Sequence, residues 1–360
     1  MRVVHIAESF AGGVYDFLVD LTNGMKDFEH FIVYGKRDNT PEDFEKDFPI
    51  KTRFFYWKSA TREINPKRDF LALKELIDIL KAIKKIDIIH LHSSKAGFIG
   101  RLAARILNLQ DRVIYTSHGV SFLRKDISYI KKKQFELLEK IASKFGGEVV
   151  ACSKSEADEF RKVGIKARFI FNGIDVKKYN IEKINKSKKH FIIGTVGRIT
   201  YAKNPKMFNE IAKHFENREY IKFLWVGDGE LKKYLVSSNI EVTGWLDKKM
   251  MMENLKQIDL YISTSLWEGL PLSALQAMSA RKPLLLSKCV GNIDLVVEGV
   301  NGFTFETEEE AISNIERLIN DNESLELLGE NSFKILNENF TMEKCIKEYK
   351  ALYESLTGIS

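Results

Sequence analysis

The sequence predicts an α/β protein built from two successive doubly wound parallel sheets. Three observations carry this. Short apolar runs alternate with amphipathic helical patterns almost throughout the 360 residues. The runs are apolar on consecutive positions, as in strands that helices bury on both faces. The alternation breaks at the polar, lysine-rich stretch 182–189, which reads as a connector, and then restarts. A chain of this length is long for one core and suits two domains.

In the first series, strands are expected at Val3–Ile6, Phe31–Tyr34, Phe54–Trp57, Ile86–Leu91, Val113–Thr116 and Glu148–Cys152. Between them lie amphipathic segments such as Leu73, Leu76, Ile77, Leu80 and Ile83, spaced for one helix face. The second series has strands at His190–Val196, Lys222–Val226, Ile240–Thr243, Leu260–Ser263, Pro283–Leu286 and Gly302–Phe305. Asn204 followed by Pro205 marks a helix start, a side-chain cap with proline in the first turn. Phe208, Ile211, Ala212 and Phe215 then mark its buried face. Met342–Leu356 reads as a terminal helix. The domains expected are 1–172 and 173–340, with 341–360 returning to the first. Ligands of such sheets bind beyond the carboxyl ends of the strands, and two such domains face to face make a cleft.

Composition narrows the class. Hydrophobic residues make up 44% and charged residues 29%, ordinary for a soluble globular protein. No run approaches the ~20 apolar residues of a membrane span. The start, MRVVHIAESFAGG, reads as a buried strand and not as a secretory signal. Cys152, Cys289 and Cys345 lie far apart and form no disulfide framework or zinc pattern, so a reducing cytoplasm is expected. Residues 1–172 carry 31 Lys and Arg against 23 Asp and Glu, and residues 173–360 carry 25 against 27. Residues 124–144 concentrate Arg124, Lys125, Lys131, Lys132, Lys133, Lys140 and Lys144. Such a stretch fits either an anionic membrane surface or a solvated helix face. No helix-turn-helix, zinc-finger or RNA-recognition signature points to nucleic acid.

The loops after the strands hold the candidate chemistry. Gly12 and Gly13 open a helix after the first strand, where backbone N–H groups favour an anion. His118 follows the strand ending at Thr116. His90 and His92 resemble a metal pair but lack a third ligand nearby in sequence, so packing or hydrogen bonding explains them better. After the first strand of the second series, Gly197 and Arg198 lead to Lys203 just before the capped helix. Two cations beside a helix N-terminus suit a diphosphate. Glu268 precedes the turn Gly269-Leu270-Pro271-Leu272, whose backbone N–H groups also suit phosphate, and Gln276 lies farther along the helix that follows. Gly227-Asp228-Gly229 lacks the third glycine of a dinucleotide fingerprint.

Taken in order, Gly12-Gly13, His118, Asn172–Asp175, Gly197–Lys203, Gly227-Asp228-Gly229 and Glu268–Met278 resemble the family-4 (group 1) glycosyltransferases, as found in capsule and O-antigen synthesis. The resemblance covers nearly the whole chain and implies the GT-B fold. It implies that Arg198 and Lys203 bind the donor diphosphate, that Glu268 binds the donor sugar, and that His118 sits by the reacting centre. Gly12, Gly13, Gly197, Gly227, Gly269, Leu270, Pro271, Leu272 and Gln276 would complete the donor site. It further implies transfer with retention, no metal ion or other cofactor, a nucleotide-sugar donor (UDP-sugar favoured), and a saccharide or lipid-linked saccharide acceptor. Lys131, Lys132 and Lys133 are candidates to face a membrane, which would make the protein peripheral. The family pattern has a second glutamate eight positions after the first; here Gln276 stands there, an acceptor without charge. A nucleotide-sugar 2-epimerase and a degenerate sugar-nucleotide-binding protein are the alternatives.

Overall fold

The computed structural model describes residues 1–61, 63–179 and 189–358. The expected connector 182–189 lies, apart from Lys189, outside these residues. The chain forms two compact units. Unit 1 comprises Met1–Leu123, Ile127–Asn172 and Met342–Ser360; unit 2 comprises Arg124–Asp126 and Gly173–Thr341.

Unit 1 begins β1 (Arg2–Ala7), α1 (Gly12–Gly24), β2 (Glu29–Tyr34), β3 (Arg53–Tyr56), α2 (Pro66–Ala82), β4 (Ile88–His92) and α3 (Ser94–Ile106). It continues β5 (Val113–Thr116), α4 (Tyr129–Ser143), β6 (Glu148–Ala151), α5 (Lys154–Lys162) and β7 (Arg168–Phe169). The strands form one parallel sheet in the order β3-β2-β1-β4-β5-β6-β7. β1, β4 and β5 are wholly buried beyond Arg2, the histidines of β1 and β4 included, as strands covered on both faces are. The expected strands are all present, with ends displaced by at most two residues. β7 was not expected: it is a two-residue edge strand with neither residue buried, so it leaves no hydrophobic signature.

Unit 2 runs α6 (Val176–Tyr179), β8 (Phe191–Val196), α7 (Pro205–His214), β9 (Ile221–Val226), β10 (Ile240–Val242), α8 (Lys248–Gln257) and β11 (Leu260–Ser263). It closes with α9 (Leu272–Ser279), β12 (Leu284–Ser287), β13 (Gly302–Phe305), α10 (Glu308–Leu318) and α11 (Asn322–Asn339). Its sheet is also parallel, in the order β10-β9-β8-β11-β12-β13. Asn204 caps α7 through its side chain, which accepts from the Met207 N–H, and Phe208, Ile211, Ala212 and Phe215 are fully buried. The last helix, α12 (Met342–Thr357), belongs to unit 1. Met342, Cys345, Tyr349, Leu352 and Tyr353 join Val3, Phe17, Leu21, Ile88 and Ile114 in one core. Among the described residues no helix is long and apolar enough to cross a membrane.

Each sheet reverses its winding once, between β1 and β4 in unit 1 and between β8 and β11 in unit 2. The loops leaving the carboxyl ends of these strands diverge there and open a crevice where ligands of such sheets bind.

Candidate active site

In unit 2 the loops after β8, β9, β11 and β12 meet at the reversal point. Gly197 and Gly227 have φ of +144° and +141°, a region that disfavours any side chain. A Cβ on Gly227 would stand 2.3 Å from the Gly197 carbonyl oxygen. The glycines therefore let the first two loops lie backbone against backbone, joined by the Ile199 N–H donating to the Asp228 carbonyl at 2.8 Å. The loop after β11 is tied to the first as well. The Leu266 N–H donates to the Ala202 carbonyl at 2.7 Å, and the Thr264 hydroxyl donates to the Lys203 carbonyl at 2.7 Å.

This lacing brings two residues 65 positions apart into contact. Lys203 Nζ lies 2.7 Å from Glu268 Oε1, and the Ser265 hydroxyl donates to the same oxygen, also at 2.7 Å. Both charged side chains are largely but not fully buried. Burial, the largest single influence, pulls the lysine pKa down; the adjacent Glu268 carboxylate, with Tyr261 and Cys289, together more than offsets it, and the pKa ends above its ordinary value. Cys289 stands close by, its thiol pushed up to about 12 by burial first and the Glu268 charge second. Arg198 is more open, with its Nε 3.3 Å from Glu230. Gln276 is half-buried on α9.

The turn 269–272 needs one correction as a set of N–H donors. Pro271 is the N-cap of α9 and has no N–H, so it shapes the turn while Leu270, Leu272 and Ser273 supply the amides. No side chain caps α9. Its first N–H groups are therefore not satisfied from its own cap, as an anion-binding helix start requires. Gly291, which the sequence did not single out, completes the wall: its φ is +84°, and a Cβ would meet the Gly269 carbonyl oxygen at 2.7 Å.

In unit 1, Gly12 and Gly13 are exposed at the uncapped start of α1, and Gly12 has φ of +58°. Glu8, just after β1, is buried and accepts from the Ser93 hydroxyl after β4. Burial pushes its pKa up, against the pull of Ser93 and the Arg37 charge. Sequence reasoning passed over Glu8, although a carboxylate directly after a buried strand is itself a signal. His118 has φ of +52° and Gly119 +101°. The turn is held by the buried carboxylate of Glu156, which accepts from the N–H groups of Gly119, Val120 and Cys152 at 3.0, 2.9 and 2.8 Å. The His118 ring packs edge-on against Phe17, and burial lowers its pKa to about 4. His90 and His92 do have a third imidazole beside them: β1 pairs with β4 so that His5 lies opposite His90. Ring nitrogens of His5, His90 and His92 lie within 4.8 Å of one another. The expectation that no third ligand lay near holds along the chain and fails in space.

The amino-terminal and carboxyl-terminal halves match two family descriptions, glycosyltransferase family 4 over residues 11–178 and glycosyl transferases group 1 over residues 176–335. The chain is 30% identical over 331 residues to the UDP-Gal:α-D-GlcNAc-diphosphoundecaprenol α-1,3-galactosyltransferase of Escherichia coli, covering 84% of this chain and 83% of that one. The chain belongs to the family-4 glycosyltransferases. This glycosyltransferase is also similar to the capsular polysaccharide biosynthesis glycosyltransferase CapM of Staphylococcus aureus, 25% identical over 83% of this chain and 86% of that one. Its fold matches that of Anabaena HepE crystallised with UDP and glucose, with a TM-score of 0.81, 18% identity and coverage of 99% and 100%. Both sheets of the glycosyltransferase are thus the Rossmann-like halves of a GT-B fold.

Proposed function

We propose that this glycosyltransferase takes its sugar from a nucleotide sugar, a UDP-sugar in the first instance, and transfers it with retention and without a metal ion. The observation that carries the reading is the convergence of Lys203, Glu268 and the uncapped start of α9 at the reversal point of the unit 2 sheet. Breaking the bond from the anomeric carbon to the diphosphate oxygen leaves negative charge on that oxygen. Lys203, Arg198 and the amides of residues 270, 272 and 273 stabilise it, the work a divalent cation does in other transferases. Glu268 receives the sugar hydroxyls and opposes positive charge at the anomeric carbon. The acceptor oxygen bonds to that carbon on the face the diphosphate leaves, and the acceptor's proton passes to the departing diphosphate oxygen. Gln276 accepts from a ribose hydroxyl, and His118 takes part in the transfer step. Unit 2 holds the donor, and unit 1 receives the acceptor.

The acceptor is a saccharide, carried on lipid, in the synthesis of a surface polysaccharide. Two relatives support this by name: the Escherichia coli enzyme acts on a diphosphoundecaprenol-linked sugar, and CapM makes capsule. Both are transferases, which favours transfer over 2-epimerisation and over a binding protein without activity. We place the enzyme in the cytoplasm, peripheral to the membrane. α4 supports that placement: it exposes Tyr129, Ile130, Leu137 and Ile141 together with Lys131 and Lys133. Lys132 is half-buried, so it contributes less than the sequence suggested.

The test is nucleotide release from UDP-, GDP- and ADP-sugars in a buffer containing EDTA. Turnover should persist there. Arg198→Ala and Lys203→Ala should each lower kcat/KM by roughly 10²–10³ with the fold intact, the usual cost of one preorganised charge contact. Activity that vanishes in EDTA and returns with magnesium or manganese sinks the metal-free mechanism. Near-normal turnover in both variants removes the diphosphate assignment.

A further inference from the structure

Behind His118 lie imidazoles that the reaction above does not use. His5, His30, His90 and His92 share one face of the unit 1 sheet, because His30 pairs with Val3, His5 pairs with His90, and His92 follows His90 by two positions. All four are at most 1% exposed. Four rings, those of His30, His5, His92 and His118, are joined end to end by hydrogen bonds.

The direction of these bonds follows from their far end. His30 Nε2 lies 2.9 Å from the Met25 carbonyl oxygen, which can only accept, so Nε2 carries the proton. A neutral imidazole has one N–H, so His30 Nδ1 is an acceptor and His5 Nε2, 3.3 Å away, donates to it. His5 Nδ1 is then bare and accepts from His92 Nε2 at 3.2 Å. His92 Nδ1 is bare in turn and accepts from His118 Nε2 at 3.0 Å. His118 is left with a lone pair at Nδ1, whose neighbour is the Cys152 thiol, a weak donor, at 3.7 Å. Burial, the leading cause at each ring, keeps all four imidazoles neutral near pH 7.

We propose that His92, His5 and His30 are positioning residues that lock His118 in the Nε2–H tautomer, so that Nδ1 is the acceptor its ring offers. The series ends on a carbonyl, which has no proton to give and holds none, so it orders protons and does not conduct them. A metal ion among His5, His90 and His92 competes poorly with this arrangement, because all six of their ring nitrogens have partners. His90 Nδ1 meets the Tyr353 hydroxyl at 2.6 Å and its Nε2 meets the Thr116 hydroxyl at 2.8 Å. The other four nitrogens belong to the series.

The tautomer itself stands apart from the proposed reaction; its effect on turnover rests on the role given to His118. The experiment is long-range ¹H–¹⁵N NMR of the imidazoles in the full chain labelled with ¹⁵N-histidine near neutral pH, assigned by single substitutions. His118 should show the Nε2–H pattern. His92→Leu removes the acceptor and should turn the His118 signals into a mixture of tautomers. His92→Asn, whose Oδ1 stands near the place of Nδ1, should restore the single pattern. Where His92→Leu does not fold, His30→Leu removes the anchor from the far end and should give the same mixture. Wild-type His118 protonated at Nδ1, or a pattern unchanged in folded His92→Leu or His30→Leu, overturns the proposal. Alongside, kcat should fall in His92→Leu by roughly 10–100-fold, as when partners that orient metal-bound imidazoles are lost, and recover in His92→Asn. Tautomers that mix while kcat stays constant uphold the lock and overturn the role of His118 in the reaction.

Discussion

Lowering the pH from 7 to 5 should loosen unit 1 before unit 2. His5, His30, His90, His92 and His118 all have pKa values lowered, chiefly by burial. In the unfolded chain they titrate near 6.5. A folded pKa below the unfolded one means stability that is complete above about pH 6.5 and is lost as the pH falls towards the folded value. For His118, with a folded pKa of about 4, linkage gives a loss of about 2 kcal/mol by pH 5. The other four histidines add in the same direction. Glu8 and Glu156 act oppositely: burial raises their pKa, so folding gains as they protonate. They are two groups against five. A loss of even about 2 kcal/mol is a large part of the stability of an ordinary domain. Hydrogen exchange by mass spectrometry, in guanidinium at pH 7, 6 and 5, reads both units in one sample. Protection of β1 and β4 should fall more steeply than that of β8 and β11. Equal loss in the two units, or constant protection of β1 and β4, refutes the assignment of the cluster as neutral in the folded state.

Three further outcomes follow from geometry. Gly227→Ala places a Cβ 2.3 Å from the Gly197 carbonyl oxygen at a φ of +141°, so thermal unfolding should show a loss of at least ~1–3 kcal/mol together with weaker donor binding; unchanged melting and KM contradict the packing described. Gln276→Ala should raise the donor KM more than it lowers kcat, since a ribose contact is alike in ground and transition states, whereas Gln276→Glu should keep activity; steady-state kinetics decide, and a lower kcat at constant KM removes the ribose role. Replacing Lys131 and Lys133 by Gln should weaken sedimentation with anionic vesicles by about 1 kcal/mol per residue at low salt, less for Lys133, which already pairs with Glu136 at 2.8 Å; unchanged binding makes α4 an ordinary solvated helix.

The two-sheet architecture was legible because buried parallel strands are written as consecutive apolar residues, and each strand of that kind was found. β7 escaped because a two-residue edge strand buries nothing. In the site, Lys203 and Glu268 were legible as loop residues after strands, but their ion pair was not. It depends on glycine-tight packing of loops whose contacts are set by sheet order, not by sequence distance. Gly291 shows the same limit: it looks like any loop glycine until the Gly269 carbonyl is placed against it. His5 is the sharpest case. Only the register of β1 on β4 reveals that a histidine near the start of the chain completes a group begun by His90 and His92.

The attachment of α12 to unit 1 has a consequence for synthesis. Its tyrosines close the core over β1, β4 and β5, and the bond from Tyr353 to His90 joins residues 263 positions apart. On the ribosome, all seven strands of the first sheet emerge long before the helix that covers them. Nearly all of unit 2, Gly173–Thr341, must be made in between. Unit 2 is therefore the part able to reach its final packing first, although it is translated second. Until α12 arrives, the face carrying Val3, Ile88, Ile114 and the buried histidines has a gap that nascent-chain chaperones would be expected to shield.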